Sequence, residues 1–440
     1  FFIPSYYIKS KLDMKESGIA LVERAADNIG SDEESVIDII SLNSTPKYSD
    51  SIPNIKYSFD LSQSIVDPES GGVTFNVEAK NLNKKLKETF KRLGSLDNFT
   101  TEIERYFFIN RQTDETLRQK KRLAAKIESS LKVLASGSAI HMTGSSVTGL
   151  GSYNCDIDMC WNCYVSLYGE DRKREIHRML KVAKQRIRKD FPEAVRSIDV
   201  IRAVVPILKF ELAYFDEETH KDVCFEVDIN INNHPGIYNS KLLHYYSLFD
   251  RRFSQLVLVL KHWAQIREIK DAQNGFFNSY SIALLALHYL QCGVKPYVLP
   301  NLQKLYPQIF DDAESLIELE YRQHFESPIT KESLTINRQP ISELLIGFFD
   351  YYRNFDFDHY AISVREGKII PRSQCSSDNP LTYCLFIEEP YDYKNTARCV
   401  THQQNWAVIQ TCFNDAYDSL VYPGGVTPSL SDIGIYIYII

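Results

Sequence analysis

The chain has 440 residues, 44% of them hydrophobic, enough for two or more domains with cores of their own. A net charge of −7 excludes a protein that holds nucleic acid by bulk positive charge, while leaving local basic grooves open. The nine cysteines form an odd set without a regular framework, no apolar run is long enough to span a bilayer and no secretory leader is visible, so a soluble intracellular protein with reduced thiols is expected.

Residues 1–94 join an aromatic, extended stretch (FFIPSYYIK) to acidic and turn-forming segments and close on a lysine-rich helix, NLNKKLKETFKRL. Little there could bury a core alone. The segment is expected to be extended, or a fused or partner-derived piece lying over another surface. Gly94-Ser95 fits either a junction between joined segments or an ordinary turn. Helical periodicity begins at SLDNFTTEIERYFF, and TDETLRQKKRLAAKIESSLKVL predicts a long amphipathic helix, so 95–137 is expected to hold N-terminal helices that pack on a central domain. Strand-like runs follow at AIHMTG, DIDMCWNCYV, VVPILKFELAYF and CFEVDINI, with one helix, DRKREIHRMLKVAKQRIRKDF, between the second and third. This β-β-α-β-β order predicts a domain of mixed α and β structure, α+β in class, over 138–234. Residues 235–422 are mostly helical, with apolar stripes in FSQLVLVLKHWAQIREI, NSYSIALLALHYLQC and PISELLIGFFDYYRNF. An extended tail, 423–440, ends the chain in an alternating Ile435–Ile439 run with the character of an aggregation-prone strand.

The chemistry concentrates in TGSSVTGLGSYNCDID. Asp156 and Asp158 flank one residue of a predicted strand and share a face. Alone, such a pair also occurs on ordinary solvated strands. Here the Gly144-Ser145 turn ends the preceding strand, and a third acid, Asp228, sits in the alternating strand CFEVDINI. Glu226 has the same parity and competes for that third role. Three carboxylates on neighbouring strands make an oxygen-rich site for Mg²⁺, with Mn²⁺ as its substitute. Two such ions can hold the attacking and leaving oxygens of a phosphoryl displacement, Asp156 and Asp158 binding both and Asp228 the one that activates the hydroxyl. The N–H groups of the turn and the Ser145 hydroxyl suit phosphate.

The Gly-Ser, Asp-x-Asp and distal Asp pattern resembles the nucleotidyltransferase superfamily that includes DNA polymerase beta. From about 96 to 420, GSSVTGLGSYNCDID, NSYSIALLALHYLQ, PISELLIGFFDYYRNFDFDHYAISVREGKII and IEEPYDYKNTARCV resemble the non-canonical cytoplasmic poly(A) polymerases of the germline-development type, relatives of the terminal uridylyltransferases. The resemblance implies a palm of mixed sheet and flanking helices plus a mostly helical central domain with a poly(A)-polymerase-associated region. It implies AMP transfer from ATP to RNA 3′ ends. It matches Gly144 and Ser145 to the phosphate turn, Asp156, Asp158 and Asp228 to the metal triad, Asn239 to a ribose contact and Lys261 to a triphosphate contact. Ser279 and Tyr280 match a pair in which a hydroxyl meets phosphate and a ring stacks on the base. Lys394 stands directly before Asn395, where related uridylyltransferases carry a histidine that favours the smaller base. At Gln265 some relatives carry a second lysine, so a second cationic phosphate contact is in question there.

Other constellations are given bland readings. Cys160 and Cys163, with Cys155 nearby, lack the second pair a zinc site needs and are expected to be buried thiols. His141, His177 and His262 are expected to be structural, and the basic helix Arg172–Lys189 a solvated face. Arg118, Lys120, Lys121 and Arg122 are weaker candidates to border an RNA path. Uridylyl transfer on the same fold and an inert scaffold are the competing functions. No RNA-recognition module appears, so an adaptor protein, itself a candidate source of 1–94, is expected to choose transcripts for a cytoplasmic enzyme without a membrane partner.

Overall fold

Helices precede the first strand because their apolar residues recur at helical spacing. The computed structural model describes residues 84–165, 169–203, 205–311, 337–375 and 380–437. The first 83 residues and the last three of the Ile-Tyr run, for which an extended form was expected, lie outside them. A helix over 84–93 (α1) ends at Gly94, whose φ of +73° is the left-handed cap position that favours glycine; its N–H donates to the Phe90 carbonyl at 3.1 Å. The ordinary-turn reading of Gly94 therefore has a physical cause.

Helix α2 (Asp97–Asn110) buries Phe99, Ile103, Tyr106 and Phe107 along one stripe. Helix α3 (Asp114–Lys132) starts where the Thr113 side chain accepts from the Thr116 N–H at 3.1 Å, and buries Leu123, Ala124, Ile127 and Leu131. Both were expected against the central domain, but they part company. α3 belongs to the hydrophobic core of the sheet that follows.

That sheet comprises β1 (Ala139–Thr143), β2 (Ile157–Asn162), β3 (Val195–Ile201), β4 (Ile207–Asp216) and β5 (Lys221–Ile231), with a short helix α4 (Ser145–Thr148) after β1 and the long helix α5 (Gly169–Asp190) after β2. Its order is β1-β2-β5-β4-β3, with β2 and β5 parallel and every other pair antiparallel. Strand β3 is an addition to the expected order. It is an edge strand with one fully buried residue, Ile198, so its sequence VRSIDVI lacks the alternation that marks its neighbours. Leu180, Ala183 and Ile187 of α5 join the α3 residues over Ile157, Met159, Trp161, Leu208, Phe210, Val227 and Ile229. Helices cover that face of the sheet.

The second layer begins with α6 (His234–Phe249) and α7 (Arg251–Ile266), the latter capped by Asp250, which accepts from the Arg252 N–H at 2.9 Å. It continues through α8 (Ser279–His288), the short α9 (Leu302–Leu305) and α10 (Pro307–Phe310), and α11 (Ile341–Arg353). A small sheet of β6 (Tyr360–Ser363), β7 (Lys368–Pro371) and β8 (Ile387–Glu388) and a last helix, α12 (Gln403–Val421), complete it. Trp263, Phe348, Phe349, Tyr352 and Phe413 interlock edge-to-face or tilted at its centre, with ring centroids about 5–6 Å apart. Within residues 423–437, where an extended tail was expected, a 3₁₀ turn forms at Leu430–Ile433, closed by reciprocal bonds between Ser429 and Asp432. Leu430, Ile433 and Ile435 are buried, and Glu102 of α2 accepts from the Leu430 N–H at 3.1 Å. Among the described residues no helix is long and apolar enough to cross a membrane.

Candidate active site

Sheet register brings the acids together. Asp158 on β2 is the direct partner of Asp228 on β5 across the parallel pair and of Thr143 on β1. Asp156 lies just before β2, with the same parity as Asp158. Asp228 is in turn the antiparallel partner of Lys209 on β4. Glu226 falls opposite Glu211 and is more exposed than Asp228, 53% against 19% for the side chains. The register thus sets Asp228, rather than Glu226, across from Asp158.

Lys209 was not foreseen as part of this group. Its ammonium is 2.5 Å from Glu226, 3.5 Å from Asp228 and 3.9 Å from Asp156. One cation thus faces three carboxylates, with Asp158 behind them. Burial pushes the Asp158 carboxyl up to about 7, and Asp228 and Asp156 beside it add to the shift. Burial also raises Asp156 and Asp228, while Lys209 pulls both back. Among the described residues no three His, Cys, Asp or Glu side chains close into a metal cage. The donor set is nonetheless all carboxylate oxygen with an excess of negative charge. That chemistry fits a hard divalent ion that takes its remaining ligands from water and substrate.

Gly144 explains how the Gly-Ser turn reaches the acids. Its φ of +69° and ψ of −161° suit glycine, and a β-carbon there would stand 2.0 Å from Asp158 Oδ2. Its N–H donates to Ser240 Oγ at 2.8 Å, which ties the turn to α6. Next to it, Ser145 Oγ accepts from Lys261 Nζ of α7 at 3.0 Å, and the same ammonium donates to the Leu150 carbonyl at 3.2 Å. Burial pushes Lys261 down to about 8. Gln265, one helical turn on, is exposed. Lys270, whose charge acts on Lys261 and, after Lys209 and Lys120, on Asp156, is itself lowered by burial.

Of the four basic candidates on α3, Lys120 and Arg122 are engaged within the protein, while Lys121 is exposed. Lys120 is fully buried, its Nζ donating to Gln112 Oε1 at 2.9 Å, Ser146 Oγ at 3.0 Å and the Cys155 carbonyl, a brace under the loop that leads to Asp156. Arg122 is held by Asp216 at 2.8 Å and Glu218 at 2.7 Å, and Arg118 by Glu115 at 2.6 Å. Cys160 and Cys163 are buried thiols, pushed up to about 12 and about 11 by burial.

A second cluster borders the first. Asn239, on α6 beside Ser240, is buried, and its side chain bonds to Glu389. Tyr280, one residue into α8, donates its hydroxyl to Glu389 Oε1 at 3.2 Å. Ser279 is the first residue of that helix, whose cap, Asn278, accepts from the Ser281 N–H at 2.7 Å. Glu389 Oε2 accepts from the backbone N–H groups of Tyr391 at 2.7 Å and Asp392 at 2.6 Å. One carboxylate therefore joins the two helices to the loop that carries Lys394. Lys394 itself is exposed and paired with Asp392 at 2.8 Å. Asn395 is a structural staple, accepting from the Ile387 and Ala397 N–H groups and donating to the Leu385 carbonyl. Lys209 and Glu389 are the two residues sequence reasoning missed. Each is a charge set inside an apolar run (VVPILKFELAYF and CLFIEEP), which was the available signal.

A five-stranded mixed sheet with two facing acids and a glycine turn, backed by a helical layer, defines a nucleotidyltransferase palm with its helical companion. Residues 99–248 match the family model of the mitochondrial-like poly(A) RNA polymerase central palm domain, and 340–395 that of the Cid1 family poly A polymerase. The poly(A) RNA polymerase GLD2 of Rattus norvegicus is 33% identical over 74% of this chain and 64% of its own length. The solved structure of a GLD-2/RNP-8 complex superposes with a TM-score of 0.62 at 30% identity, covering 76% of this chain and 97% of that one. A cytoplasmic RNA terminal U-transferase, 22% identical with a TM-score of 0.60 over 78% of this chain and 100% of its own, shares the fold. The chain belongs to the GLD2-type poly(A) RNA polymerase family. It spans just under two thirds of the length of the curated relatives it matches first.

Proposed function

We propose that this chain is a template-independent RNA adenylyltransferase that moves AMP from ATP to the 3′-OH of RNA. The observation that carries the reading is the direct register of Asp158 with Asp228, with Asp156 alongside and the Gly144-Ser145 turn pressed on Asp158. In the reaction the RNA 3′-oxygen bonds to the α-phosphorus, the bond to the bridging oxygen breaks, and pyrophosphate leaves. Asp156, Asp158 and Asp228 would hold Mg²⁺, or Mn²⁺ in its place. When bound, the ion supplies positive charge to the attacking and leaving oxygens.

The chain's own residues do the positioning. Ser145 and the backbone of its turn receive the phosphates, and Lys261 stands 3.0 Å behind that hydroxyl. A triphosphate beside Lys261 would raise it again, so the lysine holds its charge firmly when substrate is present. Asn239 and Tyr280, both fastened to Glu389, meet ribose and base, and Ser279 meets phosphate. Lys394 leaves the base pocket without the imidazole that would favour a pyrimidine, so adenine is the base of choice.

The domain reading follows the same lines: a palm over 138–234, a central domain over 235–422 and a tail docked on it. An adaptor protein choosing the transcripts, in the cytoplasm, fits a family in which GLD-2 has been solved as a complex with RNP-8. Extension of a short oligo(A) primer with ATP by wild-type protein, and its loss in Asp156→Ala, Asp158→Ala and Asp228→Ala, tests the proposal. Each acid should be worth roughly a thousandfold or more in rate. A triad variant that extends like wild type would remove that residue from the site.

A further inference from the structure

Three large apolar side chains are exposed where the catalytic loop meets the junction of α2 and α3. Phe108 is 64% exposed, Tyr153 57% and Ile109 48%. The loop between Leu150 and Asp156 is fastened there by backbone bonds: the Tyr153 N–H donates to the Asn110 carbonyl at 2.9 Å, and the Gln112 N–H to the Gly151 carbonyl at 2.9 Å. Arg111 and Ser152 form an antiparallel bridge between these bonds. The Arg111 guanidinium stands over the Phe108 ring at 5.6 Å. The rings are thus presented on a braced backbone.

Their neighbours lead to the site. Tyr153 is three residues before Asp156, and the Leu150 carbonyl at the start of the loop accepts from Lys261. Tyr106 of α2, two residues before Phe108, stacks its ring on His262, the residue after Lys261. A ring held on the loop that ends in a catalytic acid, beside an arginine already placed over an aromatic face, has the chemistry of a single-stranded nucleic-acid platform. Bases stack on such rings whatever their sequence, and guanidinium groups add cation–π and phosphate contacts.

We propose that Tyr153, with Phe108 and Arg111, is the stacking platform for the 3′-terminal bases of the RNA primer. The assignment rests on the adenylyltransferase reading for its choice of RNA, and it deepens that reading by giving the primer a place distinct from the Tyr280 nucleotide pocket. Tyr153 supplies a flat face for a base close to the reacting 3′-OH. Phe108 and Arg111 continue the track one or two nucleotides upstream.

The test is direct binding of a 5′-fluorescein oligo(A)₁₅ to the full chain, measured by anisotropy in EDTA so that no chemistry intervenes. Tyr153→Ala should weaken binding roughly tenfold, the scale of one lost base stack, and Tyr153→Phe should bind like wild type. Arg111→Gln should flatten the dependence of affinity on salt. In extension assays Tyr153→Ala should raise the KM for primer while leaving the KM for ATP unchanged. Equal RNA affinity in wild type and in a Tyr153→Ala/Phe108→Ala double variant with an unchanged melting temperature would overturn the proposal and leave the patch to a protein partner. Failure of the wild type to bind the oligonucleotide would overturn it as well. Failure of adenylation alone is separable, because it would show as RNA that binds through Tyr153 without being extended by ATP.

Discussion

Replacing Gly144 by alanine tests whether close backbone approach to Asp158 is what makes the site. The backbone there, φ +69° and ψ −161°, is a region in which alanine carries about 1–3 kcal/mol of strain. The new β-carbon would start 2.0 Å from Asp158 Oδ2 and 2.7 Å from its Cγ, whereas ordinary contacts begin near 3.4 Å. Either the carboxylate or the turn must retreat by more than 1 Å. A misplacement of that size in a reacting group costs on the order of a hundredfold in rate. The strain should lower Tm by roughly 1–4 °C in a chain of this size, leaving the protein folded at assay temperature. Thermal melting and ATP-dependent extension of oligo(A) by the same preparation read the two effects separately. Wild-type extension by a variant whose Tm has fallen would refute the idea that Gly144 positions Asp158.

Glu226 and Asp228 should behave differently despite their shared parity: Asp228→Ala should lose extension, while Glu226→Ala, which removes only the closest partner of Lys209, should keep at least a tenth of the wild-type rate. Steady-state rates of the two variants side by side check this. Glu389→Ala removes the acceptor for Tyr280, Asn239 and two loop N–H groups together, so the KM for ATP should rise about tenfold or more, with Glu389→Gln intermediate. Lys394→His should shift preference toward UTP by roughly tenfold to a hundredfold, read by parallel extension with each nucleotide.

The carboxylate pair was legible because two residues on a strand face one way whatever the rest of the fold does. The turn beside it was legible as a turn because glycine and serine between two strands favour a chain reversal. Asp228 needed more: its parity left Glu226 open, and only the β2–β5 register separates the two. Lys209 and Glu389 escaped for a related reason. Their partners come from different strands or from helices more than a hundred residues away, and no local pattern encodes such meetings. Strand β3 escaped because an edge strand needs only one buried residue. The residues before the Ile-Tyr run escaped because the Ser429–Asp432 capping pair and the burial of Leu430 and Ile433 make a 3₁₀ turn there. Lys120 shows the converse: a lysine in a basic run reads as a candidate to border an RNA path until its helix is seen to turn that side chain under the loop that leads to Asp156.

Competition between labelled ATP and UTP on a short oligo(A) primer, with Asp158→Ala as the control, is the most direct measurement of what this chain does. The account predicts 3′ extension by the wild type with ATP preferred and no extension by the variant. Equal incorporation of UTP would contradict adenylyl transfer as the function, and extension that survives the loss of Asp158 would contradict the site itself.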